Sequence, residues 1–157
     1  DSAGIATLEN GEIGRLRAPG KLRNLEDRVR KEMPLGTSGI GHTRWATHGR
    51  VNEENAHPHF DTTDRVHVVV NGIVENYREL RARLGEAGHV FTSETDAETV
   101  THLIEEYYDG DIVEATRLAF NELEGHFAFV AIHRDHPDLL VGARHQCPLV
   151  VGIGRGD

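Results

Sequence analysis

The spacing of the apolar residues switches several times along this chain, and that switching constrains the fold more than any other feature. Residues 3–8 and 12–17 read as short strands flanking Asn10-Gly11, a strong hairpin signal. After Pro19-Gly20 the pattern over 21–33 becomes helical, with Leu22, Leu25 and Val29 three and four positions apart. Residues 39–47 alternate as a strand and 48–64 form a polar loop; 65–70 is a β-branched run expected inside a sheet. From Ile73 the helical spacing returns through Tyr77, Leu80, Leu84 and Ala87. Thr95-Asp96-Ala97-Glu98 has the form of a capping box, with Thr95 as N-cap of a helix carrying Val100, Leu103, Ile104 and Tyr107. Another helix is expected from Asp111 through Leu123, followed by strands over 126–133, 139–143 and 149–153. Strands, a central helix pair and strands again predict one α+β or layered α/β/β/α domain.

Composition narrows the class. With 17 basic against 26 acidic side chains the formal charge is −9. That balance argues against nucleic acid as a partner, because phosphate-backbone binding needs clustered Lys and Arg. No apolar run approaches the ~18 residues of a membrane-spanning helix. The single cysteine, Cys147, excludes an internal disulfide framework and any multi-cysteine metal site, and a cytoplasmic setting follows as the expectation.

Several motifs carry residues suited to chemistry. On a strand through Gly41-His42-Thr43-Arg44-Trp45-Ala46-Thr47, His42 and Arg44 share one face and Thr43 and Trp45 the other. An Arg near the end of an inner strand, ahead of a Thr- and Gly-containing turn, suits either a substrate carboxylate or a structural ion pair. Asn71-Gly72 reads either as a two-residue hairpin turn or as a strand-to-helix junction. At such a junction an amide side chain and a glycine N–H would hold an oxyanion. Asp96 suits both the first turn of a helix and a substrate ammonium. His57-Pro58-His59, His42 and His48 match no familiar zinc spacing and are expected to be solvated or hydrogen-bonded loop residues, with no metal and no cofactor. Cys147, in Gln146-Cys147-Pro148-Leu149, is read as a packed small side chain, and Ser2 would become an N-terminal nucleophile only on removal of Asp1.

In order, the chain presents Asp1-Ser2-Ala3-Gly4, the stretch from Gly41 through His48-Gly49, Asn55-Ala56-His57-Pro58-His59, Asn71-Gly72-Ile73-Val74-Glu75-Asn76, Ser93-Glu94-Thr95-Asp96-Ala97-Glu98 and Pro148-Leu149-Val150-Val151-Gly152. This series resembles the glutaminase half of the glutamine–fructose-6-phosphate amidotransferases, a class II glutamine amidotransferase family. The resemblance spans the 157 residues as a partial domain. It implies an N-terminal nucleophile hydrolase-like αββα sandwich, lacking the first strand and helix. It also implies hydrolysis of L-glutamine by an N-terminal cysteine whose own α-amino group is the base, with ammonia delivered for glucosamine 6-phosphate synthesis. By position, Arg44 resembles the clamp on the α-carboxylate, helped by Thr47 and the backbone at His48. Asn71 and Gly72 resemble the oxyanion hole, Asp96 the partner of the α-ammonium, and Trp45 the gate of an ammonia channel; a core Trp beneath the following loop is the other reading of Trp45. The implied partners are glutamine, a sugar-isomerase half and, for the parent enzyme, a second copy in a homodimer.

The chain departs from the family pattern in three respects. The opening strand with its Cys is outside the 157 residues, so this polypeptide alone is expected to be inactive. Val70 stands where the family usually has His, and Cys147 where it usually has Ser. The sugar-isomerase half is likewise outside. The alternatives are the glutaminase domain of another class II enzyme, such as amidophosphoribosyltransferase, and a non-catalytic glutamine-binding module.

Overall fold

The structure is a computed structural model and describes residues 1–32, 34–45 and 49–154. Strands β1 (Ser2–Glu9) and β2 (Glu12–Pro19) form the expected hairpin, in register with Glu9 opposite Glu12. Asn10 and Gly11 take φ of 51° and 75°, the paired positive values that let a two-residue turn match the strand twist. Helix α1 (Leu22–Glu32) follows, then strand β3 (Ser38–Arg44), which pairs with β1. The first sheet therefore runs β2-β1-β3, and β3 lies at its edge among the described residues, not in its interior. The hairpin puts β1 in the middle because β2 already occupies one of its two sides.

The second sheet has the order β4-β5-β6-β7, all antiparallel. Its strands are β4 (His59–Phe60), β5 (Val66–Val74), β6 (Gly125–His133) and β7 (Leu140–His145). Between β5 and β6 run α2 (Tyr77–Glu86), α3 (Glu98–Tyr107) and α4 (Ile112–Glu122). Asp111 caps α4, its carboxylate accepting the N–H groups of Val113 and Glu114.

Three apolar layers separate four structural layers. Leu25 of α1 packs on Ala3, Leu16 and Ala18. Ala6, Leu8 and Ile40 of the first sheet meet Val69 and Ile132 of the second. Val66, Val68, Val70 and Val74 turn the other way, onto Leu80, Val100, Leu103, Ile104 and Ala115 of the helices. Period-two alternation along β5 explains both contacts, since even-numbered valines face the helices and Val69 the other sheet. The result is the expected αββα sandwich.

Three expectations fail locally. Residues 149–153 form no strand: Val150, Val151 and Ile153 are 88, 82 and 93 % exposed, and no neighbouring strand among the described residues takes up their backbone groups. Apolar β-branched residues do not make a strand without that pairing. Ile73 belongs to β5 and not to a helix, because β6 pairs with β5 as far as Val74. Thr95 does not cap α3; its hydroxyl bonds Ser93 and His59, while the Glu98 carboxylate reaches back to Thr92 and Ser93.

Candidate active site

The layer between the sheets is apolar at one end and polar at the other. Ile40 is followed on the same face of β3 by His42 and Arg44, and Val69 on the same face of β5 by Asn71. Beyond the apolar contacts these polar residues open onto a cleft of about 350 Å³ lined by His42, Arg44, Trp45, Asn71, Gly72 and Asp96. The positions singled out in the sequence for a carboxylate, an oxyanion and an ammonium thus converge on one concavity. Thr47 and His48 lie outside the described residues.

Arg44 is buried, at 6 % exposure, and donates from Nη1 to the Arg50 carbonyl at 3.2 Å. Burial lowers its pKa, and the charge of Asp96 opposes that shift, so the two side chains sense each other across the cleft. The backbone at Arg50 is held by Asn55, which is fully buried. Its Nδ2 donates to the Arg50 carbonyl and to Glu94, and its Oδ1 accepts the Glu94 N–H. Nothing in the local sequence around Asn55 announces this role, because both partners are remote in sequence or lie in a loop.

Asn71 and Gly72 do not sit at a strand-to-helix junction or in a hairpin turn. Both lie within β5, opposite Ala128 and Phe127. Gly72 has φ of +110°, and a Cβ there would stand 2.0 Å from the His126 carbonyl oxygen. Only glycine fits, and its unusual backbone sits in the cleft lining. The helix-terminus contribution expected for an oxyanion site is therefore absent from this pair; α2 begins later, at Tyr77.

Asp96 precedes α3, and its backbone carbonyl accepts the N–H and hydroxyl of Thr99 in the first turn. Its Oδ2 accepts the Val74 N–H at 2.8 Å, fastening the cleft loop to the end of β5. Trp45 is 84 % exposed at the cleft, which excludes the core reading. Val70 points its side chain into the helix-facing core, and its N–H donates to His57 Nδ1 at 3.2 Å. Cys147 is half-buried and contributes nothing to the cleft lining.

The histidines of the 57–59 loop are not solvated. His57 and His59 are 4 and 1 % exposed and form a ladder with His42. The ring centroids of His42 and His57 are 4.1 Å apart, and those of His57 and His59 are 4.5 Å apart. His59 Nε2 continues to Thr95 Oγ1 at 2.9 Å, and Thr95 to Ser93, which donates to Glu98. Burial drives all three imidazoles toward the neutral form, His59 to about 3 and His57 well below its ordinary value. The chain passes close above them: a Cβ on Gly4 would meet the His57 carbonyl oxygen at 2.0 Å.

A second cluster lies outside the cleft. His89 Nδ1 and His102 Nδ1 approach Glu105 Oε2 at 2.6 and 3.0 Å, and these ligand-type atoms lie within 4.8 Å of one another. Thr62 donates to the same oxygen through N and Oγ1, so hydrogen bonding already accounts for the grouping. Burial opposes ionisation of Glu105, but the two imidazoles and Thr62 outweigh it and hold its pKa at about 2.

These features define a glutamine amidotransferase domain: residues 42–155 match that family's model, and the chain belongs to the family. Across its whole length it is 53 % identical to the glutamine–fructose-6-phosphate aminotransferase [isomerizing] of Thermosynechococcus vestitus. The identity is 51 % with the enzyme of that name from Streptomyces coelicolor and 55 % with that from Gluconobacter oxydans. The chain spans about a quarter of the length of these curated relatives, 26 % in each case. Among solved structures, the glutamine phosphoribosylpyrophosphate amidotransferase of B. subtilis, complexed with ADP and GMP, superposes with a TM-score of 0.72 at 22 % identity. That match covers 85 % of this chain and 29 % of the other, and shows a shared fold.

Proposed function

We propose that this chain is the glutamine-binding and amide-hydrolysing domain of an enzyme that supplies ammonia to fructose 6-phosphate for glucosamine 6-phosphate synthesis. The observation that carries the reading is the convergence of Arg44, Asn71, Gly72 and Asp96 on one cleft. Glutamine offers a carboxylate, an ammonium and a side-chain amide, and the cleft offers a complement to each. The Arg44 fork takes the carboxylate and Asp96 the ammonium. The Asn71 amide and the Gly72 N–H stabilise the oxyanion that forms when the side-chain amide is attacked.

The attacking thiol is not Cys147, which lies away from the cleft. The reading therefore assigns the nucleophile to a cysteine outside the 157 residues, and this polypeptide alone is inactive. Trp45, exposed at the cleft, gates passage of ammonia toward a sugar-isomerase half, and the parent enzyme is a cytoplasmic homodimer. The relatives' names favour this substrate pair over phosphoribosyl transfer, and the built cleft favours turnover over a module that only binds glutamine.

The test is Arg44→Ala in the full-length gene product. Losing a bidentate carboxylate contact is expected to weaken use of glutamine at least tenfold while synthesis from free ammonia stays nearly unchanged. Equal loss of both would count against the clamp.

A further inference from the structure

Asn71 can stabilise an oxyanion only if its amide nitrogen, and not its oxygen, faces the cleft. A side-chain amide left alone presents either end, since the two differ little in shape. The structure fixes the choice through a neighbour on the opposite sheet. Asn71 Oδ1 lies 2.7 Å from Nε2 of His42. An amide oxygen can only accept, so the imidazole carries its proton on Nε2 and donates. With the oxygen held by His42, Nδ2 and its two protons are turned away from that ring.

We propose that His42 is a positioning residue for the oxyanion site, holding the Asn71 amide with its N–H donors toward the reacting carbonyl. The proposal rests on the oxyanion reading of Asn71 given above.

Three further observations support it. His42 and Asn71 come from different sheets, β3 and β5, so the bond also sets the spacing of the two walls of the cleft. The His42 ring is stacked on His57 at 4.1 Å and 26°, which restricts its rotation about the side chain. His57 is in turn fixed, because its Nδ1 accepts the Val70 N–H, from the residue preceding Asn71. Both histidines therefore register on adjacent residues of β5, one through the backbone of Val70 and one through the side chain of Asn71. This arrangement needs no imidazole at position 70.

The experiment is a double-mutant cycle on glutamine hydrolysis by the full-length gene product, with kcat and KM measured separately for His42→Leu, His42→Gln, Asn71→Ala and the doubles. Misdirecting one oxyanion donor is expected to lower kcat roughly 10- to 100-fold in His42→Leu while KM for glutamine moves less than about threefold. The Gln amide can still donate to Oδ1, so His42→Gln is expected to recover at least about tenfold of that loss. In the Asn71→Ala background His42→Leu is expected to add less than about threefold, because its target is gone. A His42→Leu effect that multiplies in full with Asn71→Ala would overturn the positioning role, as would an unchanged kcat. If Asn71→Ala itself leaves kcat unchanged, the oxyanion reading falls first, and this role with it. Should His42→Leu not fold, the His42→Gln cycle gives the same decision: full multiplication with Asn71→Ala overturns the role, and sub-multiplicative loss supports it.

Discussion

The Asp96 carboxylate accepts the backbone N–H of Val74 at 2.8 Å, so the loop that carries Asp96 is tied to the strand that carries Asn71 and Gly72. The acid thus has a structural task besides its charge. Changing it to Asn separates the two, because an amide oxygen still accepts the Val74 N–H but carries no charge.

Asp96→Asn is expected to keep folding stability within about 1 kcal/mol while raising KM for glutamine at least tenfold. Asp96→Ala removes the acceptor as well and is expected to cost a further ~1–3 kcal/mol, because a buried N–H is left unpaired. Denaturant midpoints beside steady-state kinetics for both variants check this. Equal KM values for the wild type and Asp96→Asn would remove the ammonium role.

Gly72→Ala is expected to destabilise the domain by at least about 2 kcal/mol, since φ of +110° strains any side chain and the new methyl meets the His126 carbonyl. The β5–β6 pairing places that carbonyl, so relief requires the central pairing of the sheet to move. Thermal denaturation of the variant is the check; an unshifted midpoint would mean that the strand relaxes freely.

The neutral histidine ladder makes stability depend on pH. His59 titrates at about 3 in the folded chain, against 6.5 when unfolded. Between those values the unfolded chain binds a proton that the folded chain refuses, so stability falls as pH drops through this window. His57 shifts in the same direction and adds to the effect. His102 is the reverse case: Glu105 and Glu98 outweigh its burial and raise its pKa, so its contribution is complete below 6.5 and lost as pH rises. Going from pH 6 to pH 4, His59→Gln is expected to lose about 2 kcal/mol less stability than the wild type. Parallel urea-unfolding profiles for the two proteins would show that His59 protonates freely in the fold.

Much of this was legible in the residue order. Asn10-Gly11 specified its hairpin because both turn residues tolerate positive φ and the register needs nothing distant. The same dipeptide at 71–72 was misread because β6, more than fifty residues away, pairs straight through it and turns a turn signal into a strand distortion. The helix faces of α3 and α4 follow from spacing, whereas spacing alone leaves Arg44, Asn71 and Asp96 open and only the resemblance carried by the order of motifs groups them, as the residues lining one cleft. What local patterns did not carry was long-range polar pairing. Asn55 with Arg50 and Glu94, His42 with Asn71, and Glu98 with Thr92 and Ser93 are each decided by how loops fold onto sheets. Residues 149–153 have the composition of a strand, but β-branched residues acquire a strand's hydrogen bonds only from a neighbour.

The most direct measurement is a crystal structure of the full-length gene product with L-glutamate bound in the glutaminase domain. The α-carboxylate is expected on the Arg44 guanidinium, the α-ammonium on Asp96, and the side-chain carboxyl oxygen within hydrogen-bonding reach of Asn71 Nδ2 and the Gly72 N–H. Glutamate seated elsewhere, or in this cleft with its head group turned away from Arg44 and Asp96, would contradict this arrangement.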